Sequence, residues 1–310
     1  MNAPNRSAEV QATTDAPHPR VGFLLGLAAY ALWGVLPLYF KAIADVAAVD
    51  IVAHRVLWSL PFLALLVTLS RGWPELRSVI GQRQTLGVLA ITALLIGGNW
   101  LLYVYAVTSG HILAASFGYY LNPLVNVLLG RFVLKEQLGR LQWAAVAIAG
   151  AGISVLAAGA LGQLWISLTL CVSFALYGLL RKVVAADAIT GLGIETALLF
   201  PLAACWLGWR VASGAPVFGA NQGHTGLLLL AGIVSTTPLL LFTAAAKRLP
   251  YSTLGMLQFL APTLQFLIAV LIYNEPFTRS HAVAFIAIWS ALALYIVALL
   301  RAPRLPQAPE

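Results

Sequence analysis

Residues 251 to 273, YSTLGMLQFLAPTLQFLIAVLIY, contain no charged side chain. At about 1.5 Å per residue, a helix of that length crosses the roughly 30 Å hydrocarbon core of a bilayer. Nine further apolar windows fall near 21 to 41, 48 to 69, 85 to 107, 112 to 134, 141 to 158, 163 to 183, 190 to 211, 225 to 246 and 281 to 301. None has the charged outer face of a soluble helix. With 61% of the 310 residues hydrophobic and 9% charged, too few polar groups exist to cover a surface in water. The alternating polar-in strands of an outer-membrane barrel are missing as well. The expected class is an all-α polytopic membrane protein with ten transmembrane helices.

The windows are duplicated. HILAASFGYYLNPLVNVLLGRFVLKEQLGRLQW at 111 to 143 returns as PYSTLGMLQFLAPTLQFLIAVLIYNEPFTRSHA at 250 to 282. One offset, 139, carries Pro123 onto Pro262, Asn126 onto Gln265, Glu136 onto Glu275 and Arg140 onto Arg279. Slightly larger offsets, 140 and 144, carry Pro61 onto Pro201 and the ALWG at 31 to 34 onto the ALYG at 175 to 178. Five spans are an odd number, so the second copy enters the membrane upside down, as in many secondary transporters. The expected division is a cytoplasmic tail at 1–20, two inverted five-helix repeats at 21–158 and 159–301, and a second tail at 302–310.

The 18 lysines and arginines give a net charge of +8. They stand singly at span ends rather than on one face, which excludes a nucleic-acid surface. With the N-terminus inside, fourteen of them collect on the inner side and three, Lys41, Arg210 and Arg279, on the outer, with Arg55 inside a span. That bias predicts cytoplasmic termini. Cys171 and Cys205 both lie within apolar windows, and their spacing suggests neither a disulfide framework nor a metal site.

Polar residues inside the spans are the candidates for function. Tyr119, Asn122 and Asn126 share one face of the fourth span, and Gln258, Pro262 and Gln265 share the corresponding face of the ninth. A stripe kept in both copies suits the lining of a common cavity, although interhelical hydrogen bonding is the structural alternative. Pro123 and Pro262 should bend their helices and free carbonyl groups. Asn99 and Tyr103 of the third span, Trp33 of the first and Tyr177 of the sixth extend the set, giving an aromatic wall with a few amides for a small solute. His54, Arg55 and Glu195 are the intramembrane ionisable groups and candidates for gating or coupling. Symmetry places Arg55 and Glu195 near opposite faces, so Arg55 is expected beside Asp50 or Glu275, and Glu195 beside Arg181 or Lys182. Glu136 and Glu275 read as helix-end groups. The small residues of AAVAIAGAGISVLAAGA at 144 to 160 fit either packing within the chain or a dimer seam, so a monomer or a homodimer is expected.

Several segments resemble the RarD group of the EamA branch of the drug/metabolite transporter superfamily. They include AYALWGVLPLYFKAI (29 to 43), AHRVLWSLPFL (53 to 63), SFGYYLNPLVNVLLG (116 to 130), SFALYGLLRK (173 to 182) and LGMLQFLAPTLQFLIAV (254 to 270). The resemblance implies ten helices in two inverted repeats, an inner-membrane location with lipid as surroundings, no cofactor, and transport of a small organic molecule. A polytopic enzyme acting on a lipid or isoprenoid carrier is the competing class. Such an enzyme would show paired aspartates or an HExxH signature, which this sequence lacks. A P-loop is also missing, so the chain carries no nucleotide-driven pump of its own.

Overall fold

A computed structural model describes residues 19–109, 111–157, 164–215, 218–219, 221–274 and 279–301. Every regular element among them is helical: α1 (Pro19–Lys41), α2 (Ala48–Leu69), α3 (Trp73–Gly81), α4 (Arg83–Thr108), α5 (Ile112–Phe132), α6 (Arg140–Ala157), α7 (Leu164–Val183), α8 (Ala188–Ala212), α9 (Gln222–Ala246), α10 (Tyr251–Leu257), α11 (Leu260–Leu271) and α12 (Arg279–Arg301). Seven of them, α1, α2, α4, α7, α8, α9 and α12, are long and apolar enough to cross a membrane. Leu24, Leu65, Leu94, Leu202, Ile286 and Leu300 lie exposed on these helices, where lipid rather than water is the compatible solvent.

The apolar windows correspond to helices with two departures. The linker after α2 holds the short helix α3, opened by Pro74, whose fixed φ and missing N–H suit a first turn. Its Val79 is buried with Leu89, Val184, Ala186 and Ile194, which ties α3 to the ends of its neighbours. The second departure is a break in the ninth window, between α10 and α11. Gln258 and Phe259 there take φ −61, ψ −24 and φ −60, ψ −18, the dihedrals of a 3₁₀ turn. Pro262 has no N–H to give the Gln258 carbonyl, which accepts from Ala261 instead at 3.2 Å. Pro123 sits inside an unbroken α5. The two prolines thus have different local outcomes.

Helix α2 packs on α8 and α9, α1 on α9 and α11, α7 on α4 and α5, α5 on α10, and α6 on α12. Ala145, Ala149 and Ile153 of α6 are buried against Ile288, Ala291 and Leu292 of α12, so this small-residue face is a seam within the chain. The largest core joins Tyr30, Phe174, Tyr177, Phe242 and Leu254 from α1, α7, α9 and α10. At the α2–α9 crossing the backbones nearly touch. A Cβ on Gly232 would stand 2.3 Å from the Trp58 carbonyl carbon, and the approach lets Thr236 Oγ1 reach Ser59 Oγ at 2.6 Å.

Candidate functional site: a polar path through the helices

Polar groups occur in three layers along the bundle. At one end, three linkers are tied together. Lys182 donates to the carbonyls of Ala246 and Leu249, Lys247 to that of Val184, and the Asp187 N–H to Glu75. Glu136, just past α5, accepts from the N–H groups of Tyr251 and Ser252 and from the Ser252 hydroxyl at 2.6 Å. Its charge sits where the first amides of α10 lack intrahelical partners.

Beneath this layer, Arg181 and Glu195 are both buried, with Nε 3.5 Å from Oε1. Thr92 donates to the same oxygen at 2.6 Å and the Tyr177 hydroxyl to the other at 3.3 Å. Arg181 Nη2 donates to the carbonyls of Asp187 and Ala188. The cluster exists because Gly191 has no side chain: a Cβ there would lie 1.8 Å from Arg181 Nη1.

At the opposite end, Asp50 accepts from Arg210 at 3.0 Å and from the Trp206 indole at 2.8 Å. His54 stacks on Phe218, and both line a pocket of about 250 Å³ with Asp50, Trp58 and Arg210. Asp50 is therefore engaged by α8, and not by Arg55 as the sequence suggested; the neighbouring helix brings Arg210 within reach. Glu275, the other carboxylate considered for Arg55, lies outside the described residues.

The middle layer holds the remaining candidates. Arg55 lies over the Trp100 ring, 3.8 Å from its centroid. Asn99 donates to the Leu170 carbonyl and the Ser173 hydroxyl, both at 2.9 Å, and accepts from Tyr119 at 3.4 Å, joining α4, α5 and α7. Tyr103 leans on Tyr119 with ring centres 5.8 Å apart. The Asn126 amide donates to Gln258 at 2.8 Å, so the stripes of the fourth and ninth windows meet each other directly. Gln265 donates to the Trp33 carbonyl at 3.0 Å. Trp33 and Tyr177 both pack against Phe174 and Phe242, with Tyr177 fully buried. Asn122 is buried with neither amide atom hydrogen-bonded.

The chain shares this plan with known proteins. The EamA-like transporter family matches over residues 20–158. Protein RarD of Escherichia coli strain K12 is 47% identical across 91% of this chain and 96% of its own length. An uncharacterized transporter of Vibrio cholerae is 45% identical across 92% of this chain and 95% of its own. The chain belongs to the RarD group of the EamA family. It is a multi-pass membrane transporter. A further RarD-group relative, named chloramphenicol-sensitive protein RarD in Pseudomonas aeruginosa, is 33% identical across 88% of this chain and 92% of its own. One solved crystal structure aligns with a TM-score of 0.71 over 92% of this chain and all of its own, at 20% identity, a likeness of fold.

Within this RarD-group chain, several polar residues escaped the sequence reading. Thr92, Thr196 and Ser235 are isolated hydroxyls in apolar helices, a common occurrence without positional meaning of its own. Trp100 stands out beside Asn99 and Tyr103 in the third span, but its stack on Arg55 depends on how α2 and α4 face each other and has no sequence signal. The Asp50–Arg210 pair was hidden because the two lie on helices far apart in sequence.

Proposed function

We propose that this transporter moves a small organic metabolite or drug-like solute across the inner membrane as a secondary exporter or facilitator. Two inverted five-helix repeats, 21–158 and 159–301, present one central cavity to either side in turn. The observation that carries this reading is the register of the helices. Helices α5 and α10 begin at 112 and 251, α6 and α12 at 140 and 279, α4 and α9 at 83 and 222, and α2 and α8 at 48 and 188. Those intervals repeat the sequence offsets of 139 and 140. Lys135 and Asn274, also 139 apart, both take left-handed φ, 57° and 54°, after their helices. Exchanging the two sets of five turns the main packed pairs into one another: α1–α9 becomes α7–α4, α1–α11 becomes α7–α5, and α2–α9 becomes α8–α4, while α7–α9 has no such counterpart. A pair of halves related in this way has two equivalent arrangements, the requirement for alternating access.

In this scheme Trp33, Asn99, Tyr103, Tyr119, Asn122, Asn126, Tyr177, Gln258 and Gln265 face the solute in one state or the other. The His54–Asp50–Arg210 end and the Arg181–Glu195 end are the two gates, and the termini are cytoplasmic. The basic residues at the Arg181 end support that orientation. The test compares metabolites released by deletion and overexpressing cells, then measures exchange of the leading compound in proteoliposomes. Exchange without chemical change is expected. Turnover of a lipid with no solute flux would sink the proposal, and reporter fusions at residue 45 inside or residue 186 outside would sink the topology.

A further inference from the structure

Most of the charges within the spans are matched. Asp50 has Arg210 and Glu195 has Arg181. Arg55 has no carboxylate within salt-bridge reach among the described residues. A lone guanidinium at membrane depth is costly to keep and marks a site for an incoming partner.

Its surroundings say what that partner is. Trp100 covers one face of the guanidinium at 3.8 Å, which leaves the in-plane N–H groups uncommitted, and Nε is buried without a hydrogen-bond acceptor. The edge of a guanidinium matches the two oxygens of a carboxylate. Arg55 and Trp100 line a narrow gap together with Ser59, Thr196, Ser235 and Thr236 and the aliphatic side chains beside them, about 10 Å³ and so roughly one water in size, which a solute enters only as the helices part. Ser59 and Thr236 are bonded to each other, so Thr196 and Ser235 are the hydroxyls left to a guest. The groups that act electrostatically on Arg55 are the phenols of Tyr119, Tyr39 and Tyr177, which bring no negative charge at neutral pH.

We propose that Arg55, stacked on Trp100, is the anchor for the carboxylate of a monoanionic organic solute with an apolar body. This inference rests on the transporter reading and names its substrate class. One guanidinium offsets one negative charge. A phosphate or dicarboxylate would leave a net charge in the span, since no second cation lines the cavity among the described residues. A neutral solute would leave the guanidinium unmatched.

The test uses the full-length protein purified in detergent, with benzoate, 3-phenylpropionate and hexanoate each compared with its primary amide, and phenylphosphonate as the dianion. Ligand-dependent thermal stabilisation gives the affinities. At least one acid is expected to bind about tenfold or more tighter than its amide and than the phosphonate, a difference of about 1.4 kcal/mol. Arg55→Gln should reduce the acid-over-amide preference to less than about twofold, Arg55→Lys should keep part of it, and Trp100→Leu should weaken the acid while keeping the preference. The lysine and leucine variants carry the test if the glutamine variant fails to fold. Amides binding as well as acids, a preference that survives Arg55→Gln, or no acid binding at all would each overturn the proposal. Counterflow of the same compounds in proteoliposomes separates it from the reading beneath it. Acid binding without any exchange overturns transport and leaves the anion site standing, whereas equal exchange of acid and amide overturns the anion site alone.

Discussion

The carboxylate of Glu136 accepts both the backbone N–H and the hydroxyl of Ser252, at 2.9 Å and 2.6 Å, so a residue that follows one helix caps another 116 positions along the chain. The bond joins the first and second halves of the chain at the end where three linkers are already tied together. Glu136→Gln keeps the shape of the side chain and loses the charge and one acceptor. It should lower stability by about 0.5 to 2 kcal/mol, the range for a lost helix cap. Thermal unfolding of the detergent-solubilised protein checks this, and an unchanged melting temperature would show that the cap contributes nothing.

Arg181 and Glu195 are a buried pair, and removing one member leaves the other charged and unmatched. Arg181→Met should destabilise by about 3 to 5 kcal/mol, while the double change with Glu195→Leu should recover most of that loss. Gly191→Ala should resemble Arg181→Met, because its new methyl group would occupy the place of Nη1. In proteoliposomes, Glu195→Gln should lose both pH-driven accumulation and exchange at equal concentrations. Loss of accumulation with exchange retained would instead make Glu195 a proton carrier.

Asn122 is buried with both amide atoms unsatisfied, an arrangement that costs about 1 to 3 kcal/mol per group. Asn122→Leu should therefore raise the melting temperature and, if the amide finds partners in a second arrangement of the helices, slow transport. Both readouts come from one preparation. A lower melting temperature would show that the amide is satisfied in the working protein.

Lys247 follows α9 outside the span, and burial holds its ammonium below the ordinary lysine value, with Arg181 adding to the effect and Asp187 and Glu75 opposing it. The unfolded chain then binds the proton more readily than the folded one. Stability should gain from this residue as pH rises from the depressed folded value through the unfolded value near 10.5, and lose that gain on the way back down. Lys247→Gln should flatten this part of the melting-temperature profile. A variant whose alkaline profile matches the unmodified protein would contradict the assignment.

Composition and the apolar windows made the helical membrane class legible, because the absence of charge over a bilayer's width leaves few alternatives. The proposed duplication rests on residues that resist drift, such as Pro123, Pro262, Arg140 and Arg279. Arg181 was nameable as a partner of Glu195 since both lie within two turns of one linker. Pairings between distant helices were not. Asp50 with Arg210, Asn126 with Gln258 and Arg55 with Trp100 depend on helix rotation and crossing, which apolar periodicity in a membrane constrains weakly because lipid-facing and core-facing positions are both apolar. The break at Gln258 was hidden too, as Pro262 and Pro123 look alike in sequence.

That break has a mechanical meaning. Helix α11 has 12 residues, so it is a rod about 18 Å long. Its 3₁₀ joint lies beside the point where Gln258 holds Asn126, while α10 stays fastened to α5 and to Glu136. A turn of about ten degrees at the joint carries the far end of that rod about 3 Å. Gln265, and with it the Trp33 carbonyl contact, lies on that arm. Its counterpart α5 is one uninterrupted beam. The continuous helix is built as a post and the broken one as a lever.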